Sequence, residues 1–288
     1  MDIGIGLPNA VVGVTAPELT EWAGRAEDAG FSCLASIDRL RYPSFESLVT
    51  LAAVAATTSR IRLTTAIVVG PLRETTLLAK QLATLDQVSG GRLTVGIAVG
   101  EMAADFEACG VPMRGRGARL EKQLAELADI WRTEAVGSAT TRPGGPTVVL
   151  GGHAPAALKR VVRHADGWMG GGTSTAVFRG LSKSITAAWS KQGRSGKPHM
   201  SACVFYALGE RGPDDVAGYF RDYYGFPGGY DQLVGRGVAA SPDEVRTLVE
   251  QFEKAGCDEL IFMPCASDPV QVNLLTDAVH KVASHHAS

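Results

Sequence analysis

The sequence predicts an α/β fold, a single (β/α)8 TIM barrel spanning residues 1–288, and three observations predict it. Eight short apolar runs alternate with longer segments of helical period, which is the pattern of a parallel sheet buried on both faces. The chain has 288 residues, 45% of them hydrophobic and 20% charged, close to the size of about 250 residues usual for such a barrel. No segment reads as an interdomain linker. The best candidate, residues 133–146, is a polar, Gly- and Pro-rich connection, and a cut there would leave two half-barrels of four strands each.

The first strand is expected from Ile3 to Leu7. Thr15-Ala16-Pro17-Glu18 has the form of a capping box, Leu19, Trp22, Ala23 and Ala26 then recur at helical spacing, and Gly30 supplies a left-handed stop. The second strand is Cys33 to Ile37 and the third Ile61 to Val69. Leu77, Leu78, Leu82 and Leu85 form a helical stripe, read as core or a subunit contact. Ser89-Gly90-Gly91-Arg92 is a turn at the stability face, leading into a fourth strand from Leu93 to Val99. The fifth strand is Thr147 to Leu150, the sixth and shortest is Gly167 to Met169, and the seventh is Met200 to Leu208. Asp222 to Tyr230 is aromatic and glycine-rich, either a lid over a pocket or a packed loop. Ser241-Pro242-Asp243-Glu244 caps a helix with Val245, Leu248, Val249 and Phe252 on one face. Gly256 ends it before the eighth strand, Glu259 to Met263.

Twenty-eight Lys and Arg against 30 Asp and Glu give a net charge of -2. Such a balance offers no basic field for nucleic acid or an anionic membrane, so neither is expected as a partner. The N-terminus opens with Asp2, and Gly and Pro interrupt its apolar run, so no secretory or membrane signal is read and a cytoplasmic protein is expected. Cys33, Cys109, Cys203, Cys257 and Cys265 form no C-x-x-C pair and read as reduced, small core or near-core residues. His153, His164, His199, His280, His285 and His286 show no metal-ligand spacing, so no metal is expected.

In a barrel of this kind chemistry sits at the C-terminal ends of the strands. Asp38, Arg39 and Arg41 follow the second strand, where an acid flanked by cations either orients a polar ligand or forms surface ion pairs. Val99 and Gly100 end the fourth strand before Glu101, whose carboxyl group either faces the mouth for acid/base use or favours a helix dipole. Gly151 and Gly152 after the fifth strand, and Gly170 and Gly171 after the sixth, make two glycine loops on one rim, suited to a phosphate group. His153 is read as a residue of the helix start.

The runs Thr65-Ala66-Ile67-Val68-Val69-Gly70-Pro71-Leu72-Arg73, Leu78-Ala79-Lys80-Gln81-Leu82-Ala83-Thr84-Leu85-Asp86, and Ser89-Gly90-Gly91-Arg92-Leu93 with Gly96 resemble the bacterial luciferase-like superfamily. So do Leu150-Gly151-Gly152, Ala156-Ala157-Leu158 and Ala165-Asp166-Gly167-Trp168, and the resemblance covers nearly the whole chain. It implies a luciferase-like barrel that binds reduced FMN or the deazaflavin F420 at its mouth, and a homodimer. It further implies a cis peptide at Ala66-Ile67 behind the flavin ring, Asp38 near the cofactor, Glu101 at an acid used by deazaflavin-dependent relatives, and phosphate-side glycines at Gly151 and Gly152. Arg39 stands where many relatives have histidine.

The favoured expectation is a monooxygenase that uses reduced FMN and molecular oxygen on a small organic molecule, with reduced flavin delivered by a separate reductase. Ala66, Ile67, Val99 and Gly100 would face the ring, Asp38 and Arg39 would hold polar edges, and Glu101 would supply or accept a proton. The alternatives are F420-dependent hydride transfer, with Arg39 and Arg41 meeting an acidic tail, and a flavin-binding barrel without turnover.

Overall fold

Strand direction and side-chain parity decide where this chain keeps its core. A computed structural model describes residues 1–137 and 139–285. Among the described residues ten strands form one sheet: β1 (Asp2–Gly6), β2 (Cys33–Ser36), β3 (Arg62–Thr65), β4 (Val68–Val69), β5 (Leu93–Ala98), β6 (Thr147–Gly151), β7 (Gly167–Gly171), β8 (His199–Tyr206), β9 (Val238–Ala239) and β10 (Glu259–Pro264). All their pairings are parallel. Because β10 pairs with both β1 and β8, the sheet closes into the expected barrel of eight staves.

Helices surround it. They are α1 (Ala16–Asp28), α2 (Ser47–Ala55), α3 (Thr75–Val88), α4 (Ala103–Ala108), α5 (Arg116–Thr133), α6 (Pro155–His164), α7 (Thr175–Lys191), α8 (Gly212–Tyr224), α9 (Pro242–Lys254) and α10 (Val270–His285). The capping box at Thr15 and Glu18 is formed in both directions, and Ser241 Oγ accepts the Glu244 amide at 3.3 Å. Among the described residues no helix is long and apolar enough to cross a membrane.

The third stave departs from the expected run of Ile61 to Val69. It is two strands separated by a cis Ala66-Ile67 peptide, at the position the resemblance implies. β3 pairs with both β2 and β5, whereas β4 pairs with β5 alone. Gly96 permits the approach: a Cβ there would lie 2.0 Å from the Thr65 carbonyl oxygen. Apolar periodicity runs unbroken through this bulge and cannot register it. The seventh expected strand ends at Tyr206 and not at Leu208, because the Gln271 side chain takes both backbone groups of Leu208, each at 2.8 Å.

Residues pointing outward from the strands, such as Leu34, Leu63, Ile97, Trp168, Val204 and Phe262, pack with the helices in one large cluster. Inward residues, including Ile37, Val149, Met169, Phe205, Ile261 and Met263, form a second cluster inside the barrel. The same parity puts Glu259 inside at the N-terminal end. There Ser32 Oγ donates to its carboxylate at 2.5 Å, and Arg62 Nη2 and His199 Nε2 lie at 2.7 and 3.5 Å. Burial alone would push the Glu259 carboxyl up, but hydrogen bonds from His199 and Ser32, the Arg62 charge and the Cys33 thiol bring it down to about 2. Four of the five cysteines are buried as expected, whereas Cys109 is exposed.

Candidate active site

At the opposite end the strands open into the mouth. Asp38 follows β2 and is buried, with 5% of its surface exposed. Its carboxylate accepts the Val69 amide at 2.9 Å and Arg73 Nη2 at 2.8 Å, and the same Arg73 nitrogen reaches Glu46 at 2.8 Å. The cation beside Asp38 is therefore Arg73, from the chain that follows β4, and not Arg39 or Arg41. Burial pushes the Asp38 carboxyl up, and Arg73 and the Val69 amide only partly offset this. Asp38 ties the end of β2 to the chain just beyond the cis peptide.

Arg39 turns away from Asp38. Its Nε donates to Asp105 Oδ2 at 2.8 Å, and its guanidinium lies 4.8 Å from the ring centre of Tyr223 and 5.4 Å from that of Tyr42. Asp105 Oδ1 also accepts the amides of Leu40 and Arg41 at 3.3 and 2.7 Å. One buried carboxylate thus fixes the whole loop after β2, and Arg39 becomes a link between that loop and α8.

Between these clusters part of the barrel mouth is left half-buried. Ala66 and Ile67 are only half-buried, although Thr65 and Val68 beside them are fully buried, and Gly100 and Met102 are half-buried too; Val99, expected to face the ring, packs instead on the outer cluster against the helices. Gly100 has φ +73, a left-handed conformation, and a Cβ there would lie 2.4 Å from Val69 Cγ1. Arg116 Nε donates to the Gly100 carbonyl at 3.0 Å. Sequence reading passed over this arginine, because it sits at the start of α5 and is brought to the rim only by folding.

Glu101 is exposed at the rim. Its charge acts on His153, a residue read from sequence as a mere helix start. Partial burial pushes the His153 imidazole below its ordinary 6.5, and the Glu101 carboxylate pulls part of the way back. The His153 ring meets the edge of Trp168 at 6.2 Å, and Trp168 Nε1 donates to the Gly152 carbonyl at 2.9 Å.

The glycine loops flank this point. A Cβ on Gly151 would lie 2.6 Å from Ile67 Cδ1, so the absent side chain leaves room at the cis peptide, and Gly171 has nothing within 4 Å of that position. Gly170 differs: a Cβ there would meet Trp168 and Phe178 in the helix layer, so only its backbone can reach the mouth. The Ala154 N-cap of α6 carries no side-chain cap; Pro155 has no N–H and the Ala157 amide donates to the Ala154 carbonyl at 2.8 Å, so in the first turn the Ala156 amide is the one left for an anion. Thr173 Oγ1, at the end of the second glycine loop, is buried without a hydrogen-bond partner. Open space at Gly171, the Ala156 amide and an orphaned hydroxyl fit a flavin phosphate here.

α8 covers the mouth, and the aromatic stretch expected after the seventh strand is in part this helix. Tyr219 and Tyr223 stack at 5.3 Å with an interplanar angle of 10°, and Phe205 at the end of β8 lies 5.6 Å from Tyr219. Both tyrosines belong to the interior cluster, with Ala66, Ile67 and Met102 packed against it. Tyr219 Oη is buried without a partner. A separate cavity of about 260 Å³, lined in part by Trp131, Leu127 and Arg142, lies on the helix side of β5, away from these groups. Among the described residues no group of three or more His, Cys, Asp and Glu is placed to hold a metal, and His286 lies outside them.

Residues 1–255 match the profile of the family described as luciferase-like monooxygenase. An uncharacterized protein of Mycobacterium tuberculosis strain H37Rv is 31% identical over 188 residues, which cover 52% of this chain and 64% of that protein. An FMNH(2)-dependent dimethylsulfone monooxygenase of Pseudomonas fluorescens is 27% identical over 231 residues, covering 69% of this chain and 63% of the relative. The chain thus spans somewhat under two thirds of the length of these relatives. Among solved structures, monooxygenase RslO1 from Streptomyces bottropensis superposes with TM-score 0.84 at 20% identity, over 98% of this chain and 99% of that one. An F420-dependent secondary alcohol dehydrogenase superposes with TM-score 0.82 at 15% identity over 98% of both chains. At such identities the likeness is one of fold.

Proposed function

Because the chain belongs to the luciferase-like monooxygenase family, we propose that it is a flavin-dependent oxidoreductase using reduced FMN and molecular oxygen on a small organic molecule. The observation that carries this reading is the half-buried apolar set of Ala66, Ile67 and Met102 at the mouth, packed on the interior cluster that Tyr219 and Tyr223 of α8 join. When bound, the flavin supplies the electrons and the oxygen chemistry. The protein's part is to hold, orient and keep dry. The Ala156 amide and the Thr173 hydroxyl would hold the phosphate, Ala66 and Ile67 would back the ring, and the aromatic face of α8 would exclude water. Asp38 fixes the chain beyond the cis peptide through Val69 and Arg73, and so acts as a positioning residue. Glu101 and His153 are the rim groups able to exchange a proton with a bound substrate. A separate reductase would deliver reduced flavin, and the protein would act as a homodimer.

The second reading is hydride transfer with F420. Exposed Glu101 favours it, whereas the engagement of Arg39 by Asp105 and Tyr223 removes a cation that an acidic tail would need. Fluorescence titration with FMN and with F420 separates the two. The FMN reading expects tight binding of reduced FMN and substrate-dependent oxygen uptake; tight F420 binding with negligible FMN binding would overturn it.

A further inference from the structure

The roof of the mouth carries one polar atom that the fold leaves unanswered. Tyr219 is 6% exposed, and its hydroxyl lies inside the interior cluster with no hydrogen-bond partner. Its ring is held in place from both sides, by the stack on Tyr223 and by Phe205, and Tyr223 is itself held by Arg39. A buried hydroxyl fixed so firmly and left unpaired is unfavourable in the empty protein. It becomes favourable when a ligand brings an acceptor.

The surroundings restrict what that ligand can be. The ionisable groups that act most on the Tyr219 phenol are Tyr223, Tyr224, Cys265 and Tyr42, each neutral at working pH. The charged side chains packed beneath the roof are paired, Arg39 with Asp105 and Asp38 with Arg73, whereas Arg41 and Glu101 are exposed at the rim. A charged group brought to the Tyr219 hydroxyl would therefore lose its hydration with no free counter-ion beside it, since the unpaired charges stay exposed at the rim. Burial pushes the Tyr219 phenol well above its ordinary range, so it remains a donor.

We propose that Tyr219 orients the substrate of this site by donating a hydrogen bond to it, and that the substrate is a compact, neutral, largely apolar molecule with one acceptor oxygen of the carbonyl type. This rests on the reading of the mouth as a flavin oxidoreductase site, and it goes further by assigning the substrate class and the residue that selects it.

The test uses the full chain and three probes followed by fluorine NMR titration: 4-fluoroacetophenone, 4-fluorotoluene and 4-fluorobenzoate. In the wild type the ketone is expected to bind more tightly than the hydrocarbon, and the carboxylate not measurably. Tyr219→Phe should weaken the ketone by roughly fivefold and leave the hydrocarbon unchanged. The same substitution should raise the Tm of the ligand-free protein by roughly 2 °C, since it removes an unpaired buried hydroxyl. A purely structural tyrosine would lower it. Equal binding of ketone and carboxylate, no ketone binding at all, an unchanged ketone affinity in the variant, or a Tm that falls would each overturn the proposal. FMN fluorescence titration on the same samples keeps the two readings apart. Loss of FMN binding with ketone selection intact refutes the flavin reading alone, and the converse refutes only the role of Tyr219.

Discussion

Arg39 Nε lies 2.8 Å from Asp105 Oδ2, and both side chains are buried, 9% and 3% exposed. The pair joins the loop after β2 to α4, while the far face of the guanidinium supports Tyr223 of α8. Arg39→Leu strands the Asp105 carboxylate in a buried site and should cost about 3 kcal/mol in urea unfolding. It should also speed amide exchange across residues 219–224. If exchange there is unchanged while global stability falls, Arg39 does not anchor the roof.

Glu259 makes stability depend on acid in a defined window. Its folded value of about 2 lies below the ordinary 4.5, so its contribution is fully present above 4.5 and is lost as pH falls toward 2. At about 1.4 kcal/mol per pH unit, that gap is worth on the order of 3 kcal/mol. Urea midpoints for Glu259→Gln should start lower at pH 6 and converge on those of the wild type near pH 2. Parallel curves across the window would contradict the assignment.

Gly151 should matter for cofactor binding and little for folding. A Cβ there meets Ile67 Cδ1, the movable end of a side chain, and displaces it into the mouth. Gly151→Ala is expected to weaken FMN binding about tenfold with Tm nearly unchanged. Gly24→Ala in α1, where the added carbon has no neighbour within 4 Å, should leave FMN binding as it is.

His153 should titrate below 6.5, and Glu101→Gln should move it lower still, because partial burial depresses it and the Glu101 charge opposes that depression. Proton–carbon NMR of the imidazole reads both values. An upward move in the variant would mean that the two groups do not interact across the rim.

The alternation of apolar runs and helical segments carried the barrel, because inward and outward residues of each buried strand are mostly apolar and the runs stand out. It could not carry the break at Ala66-Ile67, whose residues are as apolar as their neighbours. The rim was legible by position: Asp38, Arg39, Glu101 and the glycine pairs all lie at strand ends. Their partners were not. Arg73 reaches Asp38 across 35 positions and Asp105 reaches Arg39 across 66, and spacing along a chain does not report such distances. Thr173 and Tyr219 escaped for a different reason. What marks them is a missing partner, which exists only once everything around them is in place.

The Glu259 plug has a kinetic corollary. With charged and hydrogen-bonded groups filling the N-terminal end of the barrel around Glu259, ligands of the proposed site would come and go by the opposite mouth, beneath α8. Two ligands that share that mouth cannot pass each other, so the one seated deeper enters first and leaves last. Turnover would then follow a compulsory order, and an excess of the outer ligand would delay departure of the inner one.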